Sequence, residues 1–198
     1  MSKRRGAPGR RAVRAERRWP MGAMLVGGIL LAVLVAFVVV VVLDTQQRAE
    51  RTPPNGVESF AVGPGGQHTE GVVDYAQTPP VGGEHNSVWQ NCGFYSKPVT
   101  NENAVHSLEH GAVWITYRPD LTRDQVGQLG ELAQGQSYVL VSPYPDLPTP
   151  IVASAWGKQL RMDSAKDPHL EQFTSAYQQG PQTPEPGASC SGGVGSPE

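Results

Sequence analysis

Residues Asn101 to Tyr117 read NENAVHSLEHGAVWITY, and the character of the chain changes in the middle of that stretch. Glu102 to His110 is a short helix by its signals, with Thr100 or Asn101 as the cap and Gly111 at its end. Ala112 to Tyr117, AVWITY, is β-branched and aromatic and reads as a strand. A helix that runs straight into a strand points to a mixed α and β domain. The helix also carries His106 and His110 four residues apart, with Glu109 just before the second.

Downstream, Thr122-Arg123-Asp124-Gln125 opens a second helix with Val126, Leu129, Leu132 and Ala133 as its apolar residues, and Gly135 stops it. Tyr138–Pro143 reads as a buried strand. Pro143 to Pro148 is a rigid connection. Ile151–Trp156 is a further strand that continues past Gly157 to Met162. Asp167-Pro168 starts a last helix with Leu170, Phe173 and Tyr177 at helical spacing, ended by Gly180-Pro181. Upstream, His68–Tyr75 is a short strand or extended lead-in. Gln77–Val99 is a long irregular stretch with Pro79-Pro80 and Gly82-Gly83, the kind of loop that is often functional. The expectation is an α+β domain over 67–190, with a sheet of three or four strands and about three helices packed mainly on one face. Residues 44–66, rich in Pro and Gly breakers, read as a linker, and 191–198 as a disordered tail.

Before the linker, Met21–Leu43 holds no charge and is long enough to span a hydrocarbon core of about 30 Å at roughly 1.5 Å per residue. It is too long for a signal-peptide core, and no small-x-small cleavage pattern follows. The expectation is an uncleaved single-pass helix. Eight of the sixteen basic residues lie in the first eighteen positions against one acid, Glu16. That asymmetry places residues 1–20 in the cytoplasm and the rest outside the cell membrane. The formal net charge of −2 hides the imbalance: eight basic and seventeen acidic residues remain beyond the tail, a charge near −9. An acidic exported surface argues against nucleic acid and suits a cation or a basic partner.

Two cysteines, Cys92 and Cys190, both lie in the exported part. An even count in an oxidising compartment suggests one disulfide, the alternatives being free thiols or a thiolate ligand.

Residues four apart on a helix sit one above the other, so His106 and His110 can chelate one ion. Glu102 is too far along the axis, about 12 Å from His110, to share that ion. A third donor has to come from elsewhere: His85 or His68 on the upstream loops, or sulfur from Met162 or Cys92. Imidazoles with a thioether suit copper; imidazoles with a carboxylate, such as Glu109, suit zinc. Two other readings compete. The histidines can simply satisfy carbonyls in the core of a structural or interaction module of the envelope, with an unknown protein partner. Alternatively, His106-Ser107-Leu108-Glu109-His110 fits the inverted zincin signature, with Glu109 activating water, although such hydrolases are far larger and need a distal glutamate. The chain has no phosphate loop, Cys-x-x-Cys or dinucleotide fingerprint.

The blocks YAQTPPVGGEHNSVWQNCGFY, NAVHSLEHGAVWITYRPDL, YVLVSPYPDLPTPIVASAWGKQL and GPQTPEPGASC carry a resemblance. From His68 to Cys190 the chain resembles the actinobacterial family catalogued as domain of unknown function 3105, whose members also fit a membrane anchor in front. The resemblance implies no established activity. It implies that His68, His85, Cys92, His106, Glu109, His110 and Cys190 lie in the family's motif blocks, and it leaves His169 outside them.

Overall fold

The computed structural model describes the backbone of residues 21–198 and the side chains of 25–42 and 51–198. The basic tail expected over 1–20 lies outside the described residues. Helix α1, Met21–Glu50, contains Leu25–Val42, which is long and apolar enough to cross a membrane by length and composition, and its side chains there are exposed. Residues from Gln47 onward form a separate compact unit.

That unit is built on one mixed sheet. Its strands are β1 (Glu58–Ser59), β2 (Gly93–Phe94), β3 (Val113–Tyr117), β4 (Val139–Pro143), β5 (Ile151–Ala155) and β6 (Lys158–Met162), in the spatial order β1-β6-β5-β3-β4-β2. β4 runs parallel to both β3 and β2, whereas β5 is antiparallel to β3 and β6. The helices are α2 (Asn101–Glu109), α3 (Arg123–Ala133) and α4 (Pro168–Tyr177). All five residues of β3, β4 and β5 are buried, because the sheet is covered on both faces. Val113, Ile115 and Tyr117 face a core filled by Leu129 of α3 and by Leu170 and Phe173 of α4. Trp114 and Leu140 point the other way, onto Ala104, Val105 and Leu108 of α2. The expectation that helices pack mainly on one face is therefore corrected to two against one.

Six strands replace the three or four expected. The surplus comes from β1 and β2, two residues each, and from Trp156-Gly157, where a turn with Gly157 at φ +66° splits the expected long strand into the β5–β6 hairpin. The expected strand over His68–Tyr75 reduces to a single bridge between His68 and His85. The linker reading holds poorly for residues beyond Arg51: β1 pairs with β6, and Val57 and Val62 pack on the two cores. The last residues are laid along the domain rather than free. Val194 N–H donates to Trp89 O at 2.9 Å, and Glu198 N–H to Phe94 O at 2.9 Å.

Candidate metal centre

α2 is the platform. Ala104, Val105 and Leu108 bind its apolar side to the sheet, which turns His106, Glu109 and His110 away from it. A polar helix face normally meets water. Here only Asn101 and Asn103 among the nine helical residues escape burial. Two segments cover the polar side: the long loop 67–99 and the stretch 179–194 near the carboxy terminus. The loop is pinned by Glu102, whose Oε1 accepts from Val73 N–H at 2.9 Å, and by Asn103, whose amide donates to Val88 O at 2.6 Å. Glu102 is thus occupied in holding the loop. The later segment is fixed where Glu185 N–H donates to Glu109 O at 3.1 Å, where Cys92 N–H donates to Cys190 O at 2.8 Å, and where Cys92 and Cys190 sit at disulfide distance with Cα atoms 5.4 Å apart.

Between helix and loop, His68, His85, His106 and Glu109 each turn one donor atom to a common point, all within 4.8 Å of one another. Glu109 Oε2 stands 2.9 Å from His85 Nε2, 3.8 Å from His68 Nε2 and 3.9 Å from His106 Nε2. Donors held about 2.1 Å from one ion stand about 3.0 Å apart at a right angle, about 3.4 Å at the tetrahedral angle and about 4.2 Å when opposite. The spacing to Glu109 falls inside that range. Closing a separation of 4.8 Å to the tetrahedral value asks the ligands to draw together by about 1.4 Å. His68 is free to move, since its side chain is 40 % exposed while Glu109 and His85 are fully buried.

Two of the rings are oriented from behind by backbone carbonyls. His85 Nδ1 lies 2.7 Å from Gly83 O, and His106 Nδ1 2.7 Å from Asn86 O. A carbonyl only accepts, so each Nδ1 carries the hydrogen; in neutral His106 this leaves Nε2 with a lone pair, whereas His85 Nε2 donates to the Glu109 carboxylate and has to give up that proton to bind an ion. The contacts at Nδ1 are the outer-shell hydrogen bonding that orients histidine ligands in metal sites.

Charge follows from the same geometry. Burial alone would raise the Glu109 carboxyl, but hydrogen bonds from His85 and the Gly66 amide, with the His85 and His106 rings close by, hold it down to about 2. Burial lowers His85, yet Glu109 and the Gly83 carbonyl outweigh it and the ring is raised. His106 is lowered, chiefly by burial and further by His110 and His85, against the pull of the Asn86 carbonyl and Glu109. The cluster therefore holds one fixed negative charge among imidazoles, two of which are pushed in opposite directions. Gly65 makes room for this: its φ is +98°, and a Cβ there would collide with Glu109 Oε1 and with Pro184 Cβ.

The predicted donors are sorted by this arrangement. His68, His85, His106 and Glu109 come together. His110 lies beside them, with Nε2 2.9 Å from His106 Nε2 and 3.7 Å from Glu185 Oε2. Met162 does not join: it lies in the core on the α3 and α4 side of the sheet. Cys92 is paired with Cys190 and supplies no thiolate. His169 pairs with Asp167 at 2.9 Å at the start of α4. Sequence reasoning missed Glu185 and the Gly66 amide. The Cys92–Cys190 pairing was the signal for the first, since it draws residue 185 back to the centre of the domain.

Residues 67–192 match the family described as Protein of unknown function (DUF3105), and the chain belongs to that family. No curated protein and no solved structure matches the chain.

Proposed function

We propose that this is a single-pass membrane protein whose carboxy-terminal domain lies outside the cytoplasmic membrane and binds a transition-metal ion through His68, His85, His106 and Glu109. The observation that carries the reading is the convergence of three imidazole nitrogens and one carboxylate oxygen, two of the rings oriented by carbonyls behind them. Three nitrogens, one oxygen and no sulfur suit zinc; copper remains the second metal to test. The location is supported by the charge-free helix at 25–42, the basic residues before it and the paired cysteines after it. Residues 1–20 and 21–43 would then be tail and anchor, and the binding domain would take in β1 and much of the 44–66 stretch as well as residues 67–190.

Two features speak against the hydrolase alternative. Glu109 accepts from Gly66 through Oε1 and meets His85 through Oε2, so neither oxygen is placed to activate a water. Four protein donors also leave no vacant position of the kind catalytic zinc keeps. The non-metal alternative, a structural or interaction module, is favoured by the partners each ring has without an ion: His85 lies between Gly83 O and Glu109, and His106 between Asn86 O and His110.

The deciding experiment is isothermal titration of the metal-free full chain in detergent with Zn2+ and with Cu2+. One equivalent should bind at micromolar affinity or tighter, about −8 kcal/mol or more, and His85→Ala should abolish it. No heat with either ion, alongside a normally folded protein, would leave the structural module as the answer.

A further inference from the structure

His106 and His110 face each other in a way the four-donor cluster does not explain. Their Nε2 atoms are 2.9 Å apart. Each ring approaches a carbonyl through Nδ1 at 2.7 Å, His106 at Asn86 O and His110 at Ser189 O. Both Nδ1 atoms therefore carry hydrogen, and in neutral rings both Nε2 atoms are bare lone pairs turned on one another. Such a contact needs a proton shared between the two nitrogens, or a metal ion bound by both in its place. The separation is close to that of two imidazoles at a right angle on one ion, about 3.0 Å, and the rings have to part by about half an ångström to reach the tetrahedral value. Glu185 Oε2 lies 3.7 Å from His110 Nε2, on a side chain 52 % exposed. The Trp89 ring flanks both histidines, with centroids 5.8 Å from His106 and 5.0 Å from His110.

We propose that His106, His110 and Glu185 form a second, outer cation position, and that a zinc ion passes through it to reach His68, His85 and Glu109. The inference rests on the metal-binding reading above. His106 belongs to both positions, but its one available nitrogen binds one ion at a time. The two positions therefore exclude each other, and His106 is the pivot between them. Exposure falls from Glu185, half in solvent, through His110 and His106, nearly covered, to Glu109 and His85, fully covered; His68, 40 % exposed, marks the competing direct entry. An ion held at Glu185 and His110 exchanges Glu185 for His106, then His110 for Glu109, and remains bound to protein throughout. Such a path belongs to a site that acquires and gives up its metal rather than one that locks it in.

The test is stopped-flow mixing of the metal-free full chain in detergent with Zn2+, followed by tryptophan fluorescence, with release measured into excess chelator. A Trp89→Phe control assigns the signal, and titration calorimetry gives the equilibrium affinity. In Glu185→Gln and in His110→Gln, uptake and release should both slow about tenfold. Affinity should stay within about twofold, because a shared intermediate speeds both directions alike. Glu185 is at the surface, so its variant reports even where His110→Gln folds poorly. Unchanged rates in Glu185→Gln would mean that zinc enters directly past His68, and would overturn the outer position. Slower uptake with unchanged release would reduce Glu185 to simple charge attraction and overturn it too. So would a large loss of affinity in His110→Gln, since His110 would then be a resident ligand. No zinc binding by the wild type would remove the metal reading and this inference together; normal binding with unaltered rates removes only the inference.

Discussion

Replacing Glu109 by Gln keeps the shape of the side chain and removes its charge. In the metal-free protein the Glu109 carboxyl sits near 2 against an ordinary value of 4.5. At about 1.36 kcal/mol per pKa unit, that difference stabilises the ionised folded state by about 3 kcal/mol. The side chain is fully buried, so water does not screen the interaction. For a domain of about 150 residues, 3 kcal/mol corresponds to a fall in Tm of roughly 6–12 °C. The pH dependence is more diagnostic than the size. Because the Glu109 value is depressed, its contribution is present above pH 4.5 and fades as pH falls toward 2. His85 is raised above 6.5, so its contribution is complete below 6.5 and is lost as pH rises through its folded value. The gap between wild type and Glu109→Gln should therefore be widest between pH 4.5 and 6.5 and shrink on both sides. The assay is thermal unfolding of the full chain in detergent with a chelator present, followed by near-ultraviolet circular dichroism across that range. A gap below about 1 kcal/mol, or one indifferent to pH, would refute the electrostatic account of the cluster.

Other substitutions test how the cluster is held. Gly65→Ala should both destabilise the domain and weaken zinc binding, because φ +98° disfavours a side chain and the new Cβ displaces Glu109 Oε1; Tm and calorimetry on one sample would show whether the two losses travel together. Cys190→Ser should cost about 2–5 kcal/mol of stability, since the pair closes a separation of 98 residues; denaturant unfolding of the oxidised and serine forms measures it. Leu108→Ala should cost about 2–5 kcal/mol, the loss of a fully buried side chain that seats α2 on the sheet, readable in the same unfolding experiment.

Much of this scaffold can be read in the chain, and the exceptions have physical causes. β3, β4, α3 and α4 announce themselves through apolar runs, helical spacing and caps such as Asp167 before Pro168. β1 and β2 are two residues long and exist only because β6 and β4 offer open edges, which no local pattern records. At the end of α2 the spacing of four between His106 and His110 reads as one chelate. The cluster instead draws on the spacing of three between His106 and Glu109, while His110, at the helix end, turns toward the segment that carries Ser189 and Glu185. What selects between the two spacings is the covering loop, and only its folded path brings His68 and His85 over Glu109. Met162 was excluded by strand parity: it pairs with Ile151 and faces the same core as Leu160, information that becomes legible once the hairpin at Gly157 is recognised.

The most direct measurement of the central claim is zinc K-edge X-ray absorption on the full chain loaded with one equivalent of Zn2+. The account predicts four nitrogen or oxygen donors at about 2.0–2.1 Å, with outer-shell scattering from three imidazoles and no sulfur. Zinc surrounded only by water oxygens, or bound through sulfur at about 2.3 Å, would contradict it.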